Sequence, residues 1–391
     1  MQLITSILHS FTRELREVKQ NRLYLTLIVI LPLVALLFYT IIFSGGNIEK
    51  LPIVVVDDDH SQMSHRLTNM LNATRGIEVV GYAPNAEVAE KWVLSGKSYG
   101  FIVIPNNMEA NIYSNTSSTV ELFISGANIS ASGIIERDAQ RAILTFSAGI
   151  SLNKLVAEGV NYHQAMIEVS PINIQTHIIS NPYLNYGYYL APVFMFMTIV
   201  IFVVLATIYA VGRELYYATA EDWINSSDNS LVGAVIGKLL PTTIIMAVHM
   251  QRIFILLFGI MGMECEGSYP IITLSSILFI AAYQSVALLI IALTSNLRLA
   301  LSLGGGYAVM AFTFSGITFP TTAMFDIAVV FSKIFPLGYF TEIFINEAMR
   351  GTPLQYSSES IAILCIFTLL APIAIIRLRH IVRNPKYWKK D

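Results

Sequence analysis

The sequence predicts a polytopic α-helical membrane protein with six transmembrane helices and an extracytoplasmic mixed α/β domain between helices 1 and 2. Composition, the spacing of apolar runs and the position of basic residues support it. Hydrophobic residues make up 54% of the chain and charged residues only 13%, against about 25% charged in soluble domains. A helix crosses a bilayer with about 20 apolar residues. Five long runs and a shorter sixth are present: Leu23–Phe43, Tyr188–Val211, Leu239–Met261, Ile271–Leu293, Leu299–Phe319 and Ile361–Ile376.

Basic residues flank the first and last apolar runs and orient the chain. Lysine and arginine are enriched in the cytoplasmic segments next to membrane spans. We therefore expect both termini, residues 1–22 and 378–391, in the cytoplasm, and an even number of spans. The basic residues concerned are Arg13, Arg16, Lys19 and Arg22 at the start, and Arg377, Arg379, Arg383, Lys386, Lys389 and Lys390 at the end.

The first twenty residues are predicted to form an amphipathic helix. Apolar residues recur at spacings of three and four, and the charged residues fall largely on the opposite side. Such a helix suits the cytoplasmic membrane interface. The periodicity alone leaves a simple basic membrane anchor equally open. The apolar positions are Ile4, Ile7, Leu8, Phe11, Leu15 and Val18.

Residues 44–187 are predicted to form the extracytoplasmic α/β domain. Strand-like runs alternate with helical patterns, which favours βαβ units and a partly parallel sheet. From about Asn128 to Glu168 the pattern is helical. The predicted strands are Ile53–Val56, Ile77–Tyr82, Tyr99–Ile104 and Val120–Ile124, and the helices between them are His65–Ala73 and Ala86–Leu94.

The apolar stretch Ile327–Ile345 resembles a seventh span but is not predicted to cross. It contains Lys333 and Pro336, and a seventh crossing would place the basic C-terminal tail outside. Two short helical pieces broken near Pro336 are expected instead, within an outer re-entrant segment at residues 320–351. Irregular backbone at that depth must be buried in protein or face water.

Three polar residues interrupt the third apolar run: His249, Gln251 and Arg252. A lone arginine at the centre of a span costs about 2.5–3.5 kcal/mol on insertion scales. It should therefore face a cavity, a bundle interior or a carboxylate, with Glu264, Glu266 and Glu342 as candidates. These residues indicate either a substrate pathway or the pairing of helices; a misplaced span is the alternative.

Other polar groups do not form a catalytic or metal site in the sequence. Asp57, Asp58, Asp59 and His60 follow a strand, but with the serines after them they are better explained as the cap of a helix. Gly304–Gly306 lack the Lys-Ser/Thr of a phosphate-binding loop and suit close helix packing. Cys265 and Cys365 lie far apart without a nearby histidine. No enzymatic activity and no cofactor are expected on this chain.

The loop after the second span resembles a family signature. Gly212-Arg213-Glu214-Leu215-Tyr216-Tyr217-Ala218-Thr219-Ala220-Glu221-Asp222-Trp223 is similar to the Arg-Glu…Gly-Thr-x-Glu pattern of ABC-2 type transporter permeases. Ile236-Gly237-Lys238-Leu239-Leu240-Pro241 resembles the family's lead into the third span. Two positions depart from the pattern: Ala218 replaces the usual glycine, and Ser227-Asp228 lacks a proline common there.

Further matches lie on the predicted outer side. Ser315-Gly316-Ile317-Thr318-Phe319-Pro320, Phe335-Pro336-Leu337-Gly338-Tyr339 and Arg350-Gly351 resemble the family's outer re-entrant segment, with Phe325 where a proline is common. Gly316, Pro320 and Pro336 are its marker residues. Strands near Val54–Asp57 and Tyr99–Pro105 are similar to those of the subfamily with a large extracytoplasmic insert after the first transmembrane helix.

The resemblance implies the permease subunit of an ATP-binding-cassette exporter in the bacterial inner membrane. ATP and Mg would be bound by a separate ATPase subunit, which docks on a coupling loop at residues 212–238. A second permease chain, identical or a paralogue, is implied, and a periplasmic adaptor where the cell has two membranes; nucleic acid is not an expected partner. The residues singled out in this coupling loop are Arg213, Glu214, Thr219 and Glu221, and the last three are implied for the ATPase-facing surface.

A second function remains open at this stage. The chain would also suit a membrane-anchored sensor or assembly scaffold whose extracytoplasmic domain binds a ligand. Sensors usually have fewer spans and a cytoplasmic output domain, whereas this sequence ends in a short basic tail. An ATPase subunit encoded beside the chain would favour export, and a kinase or regulator would favour sensing.

Overall fold

The computed structural model describes residues 2–172, 174–181, 184–317 and 319–389. Its internal contacts divide the chain into two compact units. One unit is Asn47–His177. The other combines Met1–Gly46 with Ile178–Asp391, and it contains all the long apolar helices.

The chain begins with helix α1 (Gln2–Gln20) and the apolar helix α2 (Arg22–Phe43). Asn21 separates them, and its side chain accepts a hydrogen bond from the Tyr24 amide, which caps α2. Within α2, the five residues Thr26–Ile30 are π-helical. A π-helical turn widens the helix and changes the pairing of its carbonyl groups.

Helix α1 is amphipathic, as the sequence predicted. Its small and polar face is buried within the chain, whereas the apolar Ile4 and Leu8 are 63% and 54% exposed. Exposed aliphatic side chains on a helix of this kind suit contact with the apolar edge of a bilayer. The buried face consists of Ser6, Ser10, Glu14 and Val18.

The unit at Asn47–His177 is a mixed α/β fold around a four-stranded sheet. The strand order is β2-β1-β3-β4. Strand β1 pairs in parallel with β2 and β3, and β4 pairs antiparallel with β3, so the predicted partly parallel sheet is confirmed. The elements are β1 (Leu51–Asp57), α3 (Gln62–Asn72), β2 (Ile77–Tyr82), α4 (Ala86–Leu94), β3 (Gly100–Ile104), α5 (Met108–Tyr113), β4 (Glu121–Ile124), α6 (Ile129–Ala157) and α7 (Tyr162–Val169).

The helical pattern predicted from Asn128 to Glu168 is two helices rather than one. Gly159 adopts a left-handed conformation with φ +89°, which ends α6 as glycine commonly does. Asn161 then begins α7, because its side chain accepts a hydrogen bond from the His163 amide. A glycine in a helical pattern was the signal for this break.

The remaining unit is built around the long helix α8, most of whose apolar residues are buried. Several helices pack against it and form one continuous apolar core. The helices that follow α7 are α8 (Tyr186–Tyr216), α9 (Ala220–Asn225), α10 (Leu231–Ile260), α11 (Tyr269–Thr294), α12 (Leu297–Thr313), α13 (Asp326–Ser332), α14 (Pro336–Met349) and α15 (Ser358–Val382).

Among the described residues, five helices are long and apolar enough to cross a membrane: α2, α8, α10, α11 and α15. Helix α12 has 17 residues, or about 25 Å at 1.5 Å per residue. The predicted span Leu299–Phe319 therefore ends early, at Thr313, and the chain turns at Gly316, whose φ is +83°. The predicted loop at residues 212–238 is also shorter than expected, because α8 continues to Tyr216 and α10 begins at Leu231.

Candidate functional site

Helix α1 lies against the start of α10 through small residues. A Cβ on Gly237 would lie only 2.3 Å from the Ile7 carbonyl oxygen, and one on Gly233 would lie 2.7 Å from the Ser6 Cβ. Glycines four residues apart let two helix backbones approach closely. The Ser10 hydroxyl then donates a hydrogen bond of 2.8 Å to the Ala234 carbonyl, which joins the two backbones directly.

This close contact brings together charges from three helices. The ammonium of Lys238, the eighth residue of α10, lies 2.7 Å from Glu14 Oε2 and 2.6 Å from Glu214 Oε1. Glu14 belongs to α1, and Glu214 to the last turn of α8. All three side chains are 2% exposed or less. Lys238 therefore bridges two buried carboxylates.

Two arginines complete the arrangement. Arg13 binds both carboxylate oxygens of Glu214, at 2.8 and 3.0 Å. Arg213 lies 2.9 Å from Glu14 Oε2 and 3.3 Å from the half-exposed Glu17. We call these six residues the buried charge cluster: Arg13, Glu14, Glu17, Arg213, Glu214 and Lys238.

The cluster contains three cations and three carboxylates, so its formal charges sum to zero. Burial by itself would lower the pKa of Arg13, but the hydrogen bonds and charge of Glu214 raise it above its ordinary value. A buried ion pair adds little net stability over apolar packing, yet removing one partner costs about 3–5 kcal/mol because the other charge stays buried. The cluster therefore holds α1, α8 and α10 in one arrangement.

Aromatic rings surround the cations of the cluster. The Arg213 guanidinium lies 5.3 Å from the Tyr24 ring centroid, and Lys238 lies 5.0 Å from that of Trp223. Cations at such distances from a ring face are stabilised by its quadrupole. The indole Nε1 of Trp223 donates to the Ala234 carbonyl at 3.3 Å, which fixes α9 against α10.

The four residues singled out in the coupling loop occupy different environments. Glu214 is only 2% exposed, which corrects the expectation that it lies on the surface, and Arg213 beside it is 5% exposed. Thr219 is half-buried, and its hydroxyl donates a 2.5 Å hydrogen bond to Glu214 Oε2. Glu221 is exposed in the first turn of α9, with Asp222 beside it. Helix α9 thus presents two exposed carboxylates, those of Glu221 and Asp222.

The departures from the family pattern have a conformational explanation. Ala218 adopts φ +59°, a left-handed conformation that glycine accepts without the steric cost of a Cβ. The usual glycine thus suits the turn between α8 and α9, and alanine is strained there. Asp228 adopts φ +51°, which proline cannot adopt.

Four members of the cluster were not among the predicted site residues: Arg13, Glu14, Glu17 and Lys238. Lys238 was noted only as part of the Gly-Lys lead into the third span. Its signal was a lysine eight residues into an apolar helix, where a charge needs a partner. Glu14 lies on the face of α1 that carries the small residues Ser6 and Ser10, a pattern that indicates close helix packing.

His249, Gln251 and Arg252 join helices to one another. His249 Nε2 lies 3.2 Å from the carbonyl of Ile28, which belongs to the π-helical turn of α2. Because that oxygen accepts, Nε2 carries the proton, and Nδ1 accepts from Arg252 at 3.2 Å. Gln251 accepts a 2.7 Å hydrogen bond from Tyr269 on α11. These contacts favour helix pairing.

The carboxylates proposed as partners for Arg252 do not pair with it. Among the described residues, no ion pair joins Arg252 to Glu264, Glu266 or Glu342. Glu342 instead accepts a 2.7 Å hydrogen bond from the Ser360 hydroxyl. Of the three environments expected for Arg252, a carboxylate partner is thus not found among the described residues, and its guanidinium contacts a histidine nitrogen instead.

The predicted outer segment consists of two short helices. Helices α13 and α14 meet at 82°, and Pro336 is the first residue of α14, where proline's fixed φ is compatible with a helix. Pro320 precedes a short 3₁₀ turn, Thr321–Ala323, and Gly316 has φ +83°. Thr318 of the predicted motif lies outside the described residues. The break near Pro336 is where the sequence predicted it.

The remaining polar motifs have structural roles. Asp57 Oδ2 accepts a 2.7 Å hydrogen bond from Ser64, and Ser61 and Ser64 form a capping box at the start of α3. A Cβ on Gly304 would lie 2.4 Å from Ile208, so this glycine permits close packing of α12 on α8. Within the part of the chain that the structure describes, no group of three or more His, Cys, Asp or Glu residues could hold a metal ion.

Comparison with known families agrees with this architecture. A family model described as ABC-2 family transporter protein matches residues 22–377. The matched range begins with α2 and ends within α15, and it includes Arg213, Glu214 and Lys238. No curated protein matches the chain.

Proposed function

This chain belongs to the ABC-2 transporter family, and we propose that it forms the substrate pathway of an ATP-driven exporter together with a second permease chain. It is a multi-pass membrane permease subunit. In the proposed complex, ATP and Mg are bound by separate ATPase subunits. This chain converts their movement into a rearrangement of its helices and is not itself an enzyme.

The proposed topology has six spans. They are the five long apolar helices and α12, whose 17 residues lie at the lower end of the range that can cross a bilayer, about 17–25. The bent pair α13–α14 then lies in the outer half of the membrane without crossing it. Even parity keeps both basic termini in the cytoplasm and places the Asn47–His177 unit outside.

Helix α9 is the proposed contact with the ATPase subunit. It joins α8 to α10 on the proposed cytoplasmic side, and its first turn carries the exposed carboxylates of Glu221 and Asp222. Tyr217, immediately before it, is 65% exposed. An exposed acidic turn with a neighbouring aromatic ring suits a groove with basic residues on its rim.

The buried charge cluster is the observation that supports coupling. Thr219, next to α9, is hydrogen-bonded to Glu214, and Glu214 is bonded to both Arg13 and Lys238. Displacement of α9 therefore acts on α1, α8 and α10 together. Separating any one of these helices would leave a charge buried without its partner, at a cost of several kcal/mol.

The exposed apolar surfaces require further partners. Helices α2 and α15 leave most of their apolar side chains uncovered within the chain, whereas α8 is largely buried. We assign these surfaces to lipid and to the second permease chain, a copy or a paralogue. Where the source cell has two membranes, the Asn47–His177 unit faces the periplasm and is available to an adaptor.

Purification of the tagged full-length chain from its native membranes tests this function. The expected partner is an ATPase subunit with nucleotide-binding motifs, whose ATP hydrolysis changes when the permease is present. Recovery of the chain with a kinase or regulator, and without an ATPase, would instead support the sensor function and contradict the exporter.

A further inference from the structure

The bend between α13 and α14 borders an open cavity that the proposed coupling mechanism does not use. Its volume is about 570 Å³, within the range of about 300–1,000 Å³ typical of small-molecule sites. The end of α13, the first turns of α14 and the chain after α12 form its walls. All of these belong to one compact unit.

One wall carries a hydroxyl whose hydrogen-bonding capacity is unused. Thr341 is 2% exposed, and its Oγ1 has no hydrogen-bond partner among the described residues. The neighbouring hydroxyls of Ser315 and Ser332 donate to backbone carbonyls, each at 2.8 Å. A buried hydroxyl without a partner is destabilising, so Thr341 is available to a bound molecule.

Charges of both signs lie around the same cavity. Lys333 forms no ion pair with any described residue, and Arg350 donates only to the neutral Asn346, at 3.1 Å. Glu342 accepts a hydrogen bond from Ser360 and forms no ion pair with a described residue. The cavity is thus lined by two exposed cations and one exposed carboxylate that are not neutralised by ion pairs among the described residues.

Apolar surface accompanies these polar groups. Phe314, Tyr339 and Ile345 line the cavity. A ligand that pairs with all of these groups would carry an acidic group for Lys333 and Arg350 and a cationic nitrogen for Glu342. It would also carry an apolar body to contact the apolar side chains. A purely anionic ligand would be repelled by the carboxylate, and a purely cationic one by the two basic residues.

We propose that this cavity binds a zwitterionic amphiphile, a molecule with a cationic nitrogen and an acidic group on an apolar body. The hydroxyl of Thr341 hydrogen-bonds to its acidic group. A zwitterionic lipid headgroup and a free zwitterionic amphiphile share this chemistry. The proposal goes beyond the proposed function and is independent of ATPase coupling, because binding is measured on the permease alone.

Three probes with the same twelve-carbon chain test the proposal: dodecylphosphocholine, dodecyl phosphate and dodecyltrimethylammonium. Full-length permease is transferred to amphipol, and each radiolabelled probe is measured by equilibrium dialysis below its critical micelle concentration. We expect dodecylphosphocholine to bind at least tenfold more tightly than either singly charged probe. Equal affinity for the three probes, or preference for a singly charged one, would overturn the proposal.

Variants locate the site. Lys333→Gln and Arg350→Gln should each weaken dodecylphosphocholine binding about fivefold or more, and Glu342→Gln should reverse the preference toward dodecyl phosphate. Lys386→Gln, a basic residue outside the cavity, is the matched control and should bind like wild type. If all four variants bind equally, the probe binds elsewhere and the assignment is wrong.

Thr341→Val separates ligand binding from structure. Valine has nearly the same shape without the hydroxyl, so thermal stability should stay the same or rise while probe affinity falls at least threefold. Unchanged affinity would mean that the hydroxyl contacts water only and would contradict its assigned role. Mass spectrometry of permease freshly extracted in dodecyl maltoside distinguishes the two sources of ligand. A retained zwitterionic lipid would show that the ligand comes from the membrane. An empty site that still binds the probe fully would show that the ligand is a free amphiphile.

Discussion

The ammonium of Lys238 lies 2.6 Å from the carboxylate of Glu214, so a buried ion pair joins the start of α10 to the end of α8. Glu14 extends the pairing to α1, 2.7 Å from the same ammonium. These helices come from distant parts of the chain, and together they surround the turn that leads to α9.

Replacing Lys238 with methionine should destabilise the permease by about 3–5 kcal/mol, because two carboxylates remain buried without their shared cation. Reversible unfolding of the purified protein in mixed micelles measures the change. Glu17→Gln is the control: Glu17 is 43% exposed, and loss of such a pair costs about 0–1 kcal/mol. Equal stability of the Lys238 and Glu17 variants would contradict the role given to the cluster.

Two glycine-to-alanine changes should alter the free energy of unfolding in opposite directions. A Cβ on Gly237 meets the Ile7 carbonyl at 2.3 Å, whereas one on Gly305 meets nothing within 4 Å. Gly237→Ala should therefore cost about 1–3 kcal/mol through overpacking, and Gly305→Ala should gain about 0.5–1 kcal/mol through helix propensity. The same unfolding assay checks both, and a stabilised Gly237 variant would show that α1 is not packed as described.

Ala218→Gly should stabilise the turn between α8 and α9 by about 0.5–1 kcal/mol, since alanine is strained at φ +59° and glycine is not. Ala218→Val is the opposing variant and should be less stable than wild type, because branched side chains rarely adopt this conformation. If the glycine variant were less stable than wild type, Ala218 would not adopt the left-handed conformation described for this turn.

Much of the fold could be predicted because its signals are local. The alternation of residues in β2, Ile77–Tyr82, and the length of the apolar run in α2 are readable within a short window. The end of α12 at Thr313 was not, because the apolar residues Phe314, Ile317 and Phe319 follow it in the sequence. Hydrophobicity predicts burial in lipid or protein and does not by itself specify helix.

The buried charge cluster could be predicted only in part. Glu14 and Lys238 are separated by 224 residues, and no local pattern relates them. Charged residues beside a span also suggest a solvated loop, which is why Glu214 was expected at the surface. The family signature located Arg213 and Glu214, but only the packing of Gly237 on α1 brings Glu14 within reach of Lys238.

His249 should act in helix pairing. His249→Gln keeps an amide N–H able to donate toward the Ile28 carbonyl and should retain most of the thermal stability. His249→Leu has no such donor, so both its thermal stability and its expression level should fall. Arg252→Leu, tracked for expression and transport, is the companion variant. Normal stability with transport lost for some substrates only would instead place these residues in the substrate pathway.

The accessibility of Cys265 to a reagent outside the cell tests the proposed topology. In the proposed arrangement it lies outside, so a membrane-impermeant maleimide should label it in intact cells carrying Cys365→Ser. Burial, with the nearby Glu266 and Glu347, raises the pKa of the Cys265 thiol despite a hydrogen bond to Gly267. The thiolate is the reactive form, so labelling should be slower than for a free thiol at neutral pH and should keep accelerating above the ordinary thiol pKa. Labelling only after permeabilisation would reverse the topology.

In the proposed complex, the exposed acidic turn of α9 binds the ATPase subunit, and the buried charge cluster holds the helices that respond. The test is the amount of ATPase subunit that co-purifies with the permease when Glu221 and Asp222 are both changed to lysine. We expect its loss, with membrane insertion unchanged, while Arg379→Glu, an exposed charge reversal elsewhere, retains it. Wild-type amounts of ATPase bound to the Glu221→Lys, Asp222→Lys variant would contradict the claim.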